Sequence, residues 1–194
     1  MTIPPPSDTS ANHPAFPELR TPRFVLRQII PADLPTVFAG LSNPQVIQHY
    51  GVSYDSLDAT QRQMDWFEEL FAQGTGIWWG ICTPDARSTL IGACGFNDLV
   101  AVHRRAELGY WLLPPYWGKG IARECVTAII AHAFDALGLH RVGAEVDVGN
   151  HRSAKLLESV GFRFEGVRRG CELKDGAFLD IEQYGRLSTD PSPV

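Results

Sequence analysis

The residues whose types and spacing best suit ligand binding lie in the stretch 114–125, which carries Gly118 and Gly120. The apolar run 106–113 before it is typical of a strand, and the periodic apolar residues of 121–137 after it predict a helix. The start of a helix presents unpaired backbone N–H groups and the positive end of its dipole, and both attract an anion. Glycine has no Cβ, so the backbone can approach a ligand closely and adopt a positive φ. We therefore interpret this glycine turn as a cradle for a pyrophosphate.

Two common phosphate-binding motifs do not account for the turn. Lys119 is followed by Gly120 rather than by Ser or Thr, which excludes a Walker loop. Arg123 stands where a dinucleotide-binding Gly-x-Gly-x-x-Gly motif would have its third glycine. A Gly-x-Gly pair alone is also compatible with an ordinary tight turn between a strand and a helix, so that alternative stays open at this point.

The composition is that of one globular domain with a substantial core. The chain has 194 residues, of which 44% are hydrophobic and 20% are charged, and its net charge of −5 argues against a nucleic-acid-binding surface. No apolar run approaches the roughly 18 residues of a membrane span, and the first ten residues lack the features of a secretory signal. We therefore expect a cytoplasmic protein that binds neither nucleic acid nor membrane.

The cysteines and histidines do not indicate a metal site. The four cysteines are widely spaced without a Cys-x-x-Cys pair, and the six histidines show no metal-ligand spacing, so we expect buried free thiols and no metal. The proline-containing, polar segment 1–20 is predicted to be a disordered tail, and 188–194 a second tail. The segment 21–187 between them is predicted to be a single domain.

The hydrophobic periodicity and the turn residues predict a mixed α/β order of elements. The predicted elements are a strand at 23–29, helices at 33–41 and 57–73, strands at 77–83, 89–98 and 105–113, a helix at 121–137, a strand at 140–148, a helix at 151–160, and strands at 162–172 and 177–187. Short loops between the second, third and fourth strands indicate an antiparallel meander. The strand, glycine turn, helix and strand that follow indicate a parallel crossover within that sheet.

Four pieces of sequence, in their joint order and spacing, resemble the GNAT superfamily of acyl-CoA N-acyltransferases. They are TPRFVLR at 21–27, ELGYWL at 107–112 with YWGKGIA at 116–122, NHRSAKLLE at 150–158, and GF at 161–162 with EGV at 165–167. Asp180 and Tyr184 form a fifth, weaker piece. The strongest likeness is to the Rim-type branch, which contains the ribosomal-protein N-terminal acetyltransferases.

The resemblance implies a GNAT domain over residues 21–187: a twisted, mostly antiparallel sheet with a parallel central crossover, two splayed central strands and helices on both faces. It implies acetyl-CoA as cosubstrate, with the pantetheine arm in the gap between the splayed strands and the pyrophosphate on the glycine turn. The implied coenzyme-binding residues are Tyr110, Trp111, Leu112, Trp117, Gly118, Lys119, Gly120, Ile121, Ala122, Asn150 and Ser153. For Lys119 and Arg123, added charge for the phosphates and plain solvent exposure both stay open.

Acetyl transfer to an amine needs a base for the amine, a donor for the developing oxyanion, and a group that protonates or stabilises the leaving thiolate. Glu107 is the candidate base, acting through a water, because it lies in an apolar strand next to the implied gap and partial burial would raise its pKa. The alternative is a structural ion pair of Glu107 with Arg104, Arg105 or Arg123.

Ser153 is the candidate for the thiolate, because it shares the apolar face of its predicted helix with Leu157. Its alternative role is a hydroxyl bonded back to its own helix. Many GNAT enzymes have a tyrosine acid at the position of Leu157, so this chain departs from that pattern and its general acid is left open. Asn150 suits both a helix N-cap and a hydrogen bond to the pantetheine arm.

The resemblance implies a primary amine as acceptor, either the α-amine of a protein or peptide or an amine of a small molecule. A non-catalytic module that binds acyl-CoA is the alternative, since Leu157 replaces the usual tyrosine. The aromatic residues Trp66, Phe67, Trp78 and Trp79 are expected in the core rather than in an acceptor pocket. A homodimer is left open, because no motif in the sequence addresses it.

Overall fold

An eight-stranded sheet organises the computed structural model, which describes residues 15–192. The strands are β1 (Leu19–Arg20), β2 (Val25–Gln28), β3 (Ile77–Cys82), β4 (Gly92–Val100), β5 (Arg105–Leu112), β6 (Arg141–Asp147), β7 (Arg163–Lys174) and β8 (Ala177–Leu187). The α-helices are α1 (Leu34–Leu41), α2 (Pro44–Ile47), α3 (Leu57–Gln73), α4 (Ile121–Asp135) and α5 (His151–Ser159). The strand order is β1-β2-β3-β4-β5-β6-β8-β7.

The predicted fold class is confirmed. Strands β5 and β6 are parallel and are joined through α4, whereas the other neighbouring strands of the described sheet are antiparallel. The pairing of β5 with β6 ends at Glu107 and Gly143, although β5 continues to Leu112 and β6 to Asp147. The two central strands are therefore splayed, and a gap opens between them beyond Glu107.

Helices cover both faces of the sheet, because side chains alternate between the two faces along each strand. On β5, Leu108 and Leu112 pack with residues of α4 and α5, while Trp111 packs with residues of α1 and α3. We call these two sides the α4/α5 face and the α1/α3 face. Glu107 is an even number of positions from Trp111 along β5, so its side chain lies on the same α1/α3 face. The side chain of Tyr110 lies on the α4/α5 face.

The boundary of the predicted N-terminal tail needs a correction. Residues 1–14 lie outside the described part, but β1 already pairs with β2 before residue 21. Phe16 lies 5.1 Å from Phe71 between ring centroids, and the Pro17 carbonyl accepts a 2.7 Å hydrogen bond from Trp79 Nε1. The proline content of this segment suggested a tail, whereas one aromatic side chain and one carbonyl find partners on the sheet and hold residues 16–20 in place.

A buried ion pair fixes the connection between β2 and α1. Both side-chain nitrogens of the Arg27 fork donate to the Asp33 carboxylate at 2.8 Å, and Asp33 also accepts from the backbone N–H of Ile30 at 2.8 Å. The Asp33 side chain is 2% exposed.

No helix within residues 15–192 is long and apolar enough to cross a membrane.

Candidate active site

The gap between β5 and β6 leaves strand-edge backbone groups without a strand partner. The N–H of Leu113 donates a 3.0 Å hydrogen bond to the carbonyl of Ile91. Hydrogen-bonded pairs recur at every second residue of an antiparallel ladder, so Trp111 and Ala93 of β4 form the next such pair. Backbone groups alternate in direction along a strand, so those of Tyr110 point away from β4 and into the gap. The register thus offers the backbone of Tyr110 to a ligand in the gap and commits that of Trp111 to the sheet.

The glycine turn has the backbone conformation that the sequence predicts. Gly118 and Gly120 have φ values of 73° and 72°, which side chains with a Cβ rarely adopt. Gly120 is the N-cap of α4 and provides no side-chain hydrogen bond, whereas Ser56 caps α3 with a 3.2 Å bond from Ala59 N–H. The first N–H groups of a helix have no partner inside it, so those of Ile121 and its neighbours are free to bind an anion. The local structure therefore fits a pyrophosphate.

Arg23 holds this turn, and the sequence reasoning did not single it out. Its backbone N–H and its Nε donate to the Glu124 carboxylate at 3.0 and 2.6 Å, and its Nη1 donates to the carbonyl of Lys119 at 3.1 Å. The contact links residues about one hundred positions apart, so no local pattern could reveal it. The one signal was the presence of Arg23 in the first piece of the family resemblance.

Trp117 closes the other side of the turn. Its indole Nε1 donates to the carbonyl of Leu112 at 2.8 Å, and the Arg152 guanidinium of α5 lies 5.7 Å from the centroid of its ring. The carbonyl at the end of β5 thus already has an intramolecular partner. Trp117 thereby connects the end of β5, the glycine turn and the start of α5.

Glu107 lies where β5 and β6 separate, and its side chain is 29% exposed. Burial, and then the negative charge of Glu145, raise the pKa of its carboxyl to about 7, against the opposing charges of Arg141 and Arg105. The nearest cation is Arg105, with 3.9 Å between Nη1 and Oε1, and within residues 15–192 no hydrogen bond to the carboxylate contributes to its pKa. Glu107 therefore lacks the tight ion pair that was the alternative to a role as base.

Gly143 makes room for this carboxylate. A Cβ at position 143 would overlap both Oε atoms of Glu107, because the side chain lies across the backbone of β6. The neighbouring Arg141 is occupied elsewhere, since its guanidinium donates to Glu165 at 2.7 and 2.5 Å. The absence of a side chain on β6 thus leaves Glu107 at the mouth of the gap.

The start of α5 brings Ser153 to the gap from the α4/α5 face. Asn150 is the N-cap, and its side-chain oxygen accepts from Ser153 N–H at 3.2 Å. The Ser153 hydroxyl is not bonded back to its helix but lies 2.5 Å from the hydroxyl of Tyr110. Leu157 is fully buried in the core, so an apolar side chain stands at the position where the resemblance implies a tyrosine in many GNAT enzymes.

The aromatic residues separate onto the two faces. Trp78 packs 5.8 Å from Trp66 and 5.5 Å from Phe67 on the α1/α3 face, and Trp79 packs against the His132 ring of α4 on the other. Trp78, Trp79 and Phe67 are buried, as the sequence predicts for core residues, while Trp66 is half-buried. In the described part of the chain, no three His, Cys, Asp or Glu side chains are grouped to hold a metal ion.

Comparison with known proteins gives a consistent result. Residues 23–163 match the model of the acetyltransferase (GNAT) domain. Uncharacterized N-acetyltransferase YoaA of Bacillus subtilis is 39% identical over 170 residues, which is 87% of this chain and 96% of YoaA. The [ribosomal protein uS5]-alanine N-acetyltransferase of Escherichia coli is 31% identical over 69% of each chain. The crystal structure of spermidine N-acetyltransferase from Vibrio cholerae in complex with CoA and spermine superposes with a TM-score of 0.76 at 22% identity, covering 86% of this chain and 96% of that one.

Proposed function

This chain belongs to the GNAT acetyltransferase family and is an N-acetyltransferase, and from that premise we propose that it acetylates the α-amine of a protein or peptide, or else an amine of a small molecule. We place the protein or peptide amine first, because the relative named for ribosomal protein uS5 is 31% identical over two thirds of this chain. The spermidine N(1)-acetyltransferase of Vibrio cholerae is 34% identical over 51% of this chain, and it supports the small-molecule amine as second choice.

The observation that carries the proposal is the position of Glu107. It is a half-buried carboxyl with a pKa of about 7, and it stands where the parallel strands part without a tight cationic partner. A base with such a pKa is half-ionised at neutral pH, which suits removal of a proton from an ammonium group. We assign to Glu107 the role of general base, acting through a water.

The coenzyme would be held by the elements that line the gap and the turn. Bound acetyl-CoA supplies the thioester whose acetyl group is transferred. The backbone of Tyr110 binds the arm in the manner of an added strand, and the N–H groups that start α4 bind the pyrophosphate. An N–H of β5 that faces the gap polarises the acetyl carbonyl as negative charge develops on its oxygen.

The base and the group that stabilises the thiolate lie on opposite faces of the sheet. Glu107 lies on the α1/α3 face, so the amine approaches from that side. Ser153 lies on the α4/α5 face and donates a hydrogen bond to the leaving sulfur. The base that takes the amine proton and the hydroxyl that stabilises the leaving thiolate thus act from opposite faces of the sheet.

The test is the release of free CoA from acetyl-CoA with a panel of acceptors. The panel holds peptides with varied N-terminal residues, polyamines, amino acids and aminoglycosides. We expect turnover with one or more peptides, and its loss in Glu107→Gln while acetyl-CoA still binds. Turnover confined to polyamines would move the proposal to a small-molecule amine. Unchanged turnover in Glu107→Gln would remove this residue from the mechanism, and acetyl-CoA binding without turnover on any acceptor would contradict the proposed function.

A further inference from the structure

The hydroxyl of Tyr110 on β5 lies 2.5 Å from the hydroxyl of Ser153 at the start of α5. The side chain is half-buried on the α4/α5 face, and burial raises the pKa of its phenol to about 12. The role assigned above to Tyr110 uses only its backbone. The half-buried Tyr110 hydroxyl, which lies against a proposed thiolate-binding residue, therefore has no function yet.

We propose that the side chain of Tyr110 is a positioning group, which does not itself contact the substrate but turns the Ser153 hydroxyl proton toward the leaving sulfur. This inference rests on the proposed function, because it assumes that Ser153 contacts that sulfur. A phenol is the stronger acid and an aliphatic hydroxyl the stronger acceptor, so Tyr110 O–H donates to Ser153 Oγ. The serine proton must then point elsewhere.

The surroundings of Ser153 leave that proton a single useful direction. Within residues 15–192 its hydroxyl oxygen has Tyr110 as hydrogen-bond partner and is not bonded to a carbonyl of its own helix. Asn150 occupies the N-cap and takes up the Ser153 backbone N–H, so the side chain is not needed as a cap. The proton is therefore free to point into the gap.

Two effects strengthen the donor that results. A hydroxyl that accepts a hydrogen bond becomes a better donor, because chains of hydrogen bonds polarise one another. The positive end of the α5 dipole also lies at this first turn and favours a negative charge nearby. Both effects act on a thiolate more than on a neutral thioester, so they lower the barrier rather than tighten binding.

The high pKa of the Tyr110 phenol separates hydrogen bonding from proton transfer. A thiol has an ordinary pKa of about 8.5, so its thiolate is too weak a base to take a proton from a phenol of pKa about 12. Both hydroxyls therefore keep their protons while the C–S bond breaks and its electron pair goes to sulfur. The thiolate obtains its proton from solvent afterwards.

The test compares single-turnover acetyl transfer in Tyr110→Phe, Ser153→Ala and the double variant. We expect Tyr110→Phe to lower the rate about tenfold and Ser153→Ala roughly a hundredfold, with the Kd for acetyl-CoA within about twofold of wild type. In the Ser153→Ala background, Tyr110→Phe should change the rate less than about twofold, because its effect passes through the missing hydroxyl.

Matched controls remove hydroxyls that lie away from the gap. Tyr54→Phe removes a hydroxyl that donates to Gln63 at 3.1 Å, and Ser159→Ala removes one bonded back to the Leu156 carbonyl at the far end of α5. Both should keep the wild-type rate, and urea unfolding of each variant shows whether a rate loss follows a loss of folding.

Three outcomes would overturn the inference. The first is a Tyr110→Phe loss of equal size in both backgrounds, which would indicate a structural role. The second is an unchanged rate in Tyr110→Phe. The third is an unchanged rate in Ser153→Ala with Glu107→Gln inactive, which would leave the acetyl transfer standing and remove the role of Ser153 on which the inference depends.

Discussion

The ionisation of Glu107 should make the folded protein less stable as the pH rises. The ordinary pKa of the group is 4.5, and in the folded protein it is about 7, mainly through burial. A pKa difference of about 2.5 units corresponds to a loss of folding stability on the order of 3 kcal/mol when the carboxyl ionises. The side chain is 29% exposed, and solvent screens part of the effect, so this value is an upper bound.

The direction follows from proton binding. The folded protein holds the Glu107 proton more tightly than the unfolded chain, so the neutral carboxyl contributes its full stability below pH 4.5 and this contribution is lost as the pH rises through 7. Glutamine is neutral at every pH and has nearly the same shape. We therefore expect Glu107→Gln to be close to wild type in stability at pH 5 and more stable by on the order of 2 to 3 kcal/mol at pH 8.5.

Urea unfolding at the two pH values measures this difference, and kcat/KM over the same range measures the activity. Wild-type kcat/KM should rise with pH through an apparent pKa of about 7 as Glu107 loses its proton. The Glu107→Gln variant should be inactive, although it is the more stable protein at high pH. Glu69→Gln, at an exposed position of α3, is the matched control for loss of one carboxylate. A stability gain in Glu107→Gln of equal size at both pH values, or a flat activity profile between pH 6 and 8, would refute the reasoning.

Three further predictions concern the surroundings of the site. Gly143→Ala should lower kcat roughly a hundredfold in the CoA-release assay, because a Cβ there displaces the Glu107 carboxylate; near wild-type kcat would show that the carboxylate can move without loss. Arg23→Ala should raise KM for acetyl-CoA roughly tenfold with little change in kcat, because it frees the glycine turn; an unchanged KM in steady-state kinetics would contradict this. Asp33→Asn should lower the free energy of unfolding by about 3 to 5 kcal/mol in urea, because it leaves Arg27 without its buried partner; a loss below about 1 kcal/mol would place the pair among weak surface contacts.

The secondary structure and the sheet class could be predicted because their signals are local. Helix α3 and strand β8 have the predicted bounds, since each combines a regular apolar period with a clear end, such as Gly74 after α3. The sequence predicts a strand that begins at residue 89, whereas β4 begins at Gly92. It also predicts a tail where the structure has the short strand β1. In both places the competing information was tertiary: strand pairing decides where a strand begins, and contacts with distant residues decide whether a proline-rich segment is ordered.

The candidate site was only partly predictable for the same reason. Glu107 and Ser153 could be chosen from their types, their apolar surroundings and the family resemblance. That Glu107 lacks a tight ion pair depends on where Arg105 and Arg141 point, and Arg141 is held by Glu165 of β7. That the Ser153 hydroxyl is not bonded back to its helix depends on Tyr110, which is 43 positions away.

The sequence by itself determined the glycine turn, the helix that follows it, the alternation of β5 and the family to which those pieces point. These depend on backbone conformation and on periodicity, which neighbouring residues control. Only the tertiary structure decided that Arg23 holds the turn, that Gly143 makes room for Glu107 and that Tyr110 faces Ser153. Each of these is a contact between elements far apart in the chain, and such contacts exist only once the splayed sheet has set the distance and direction between them.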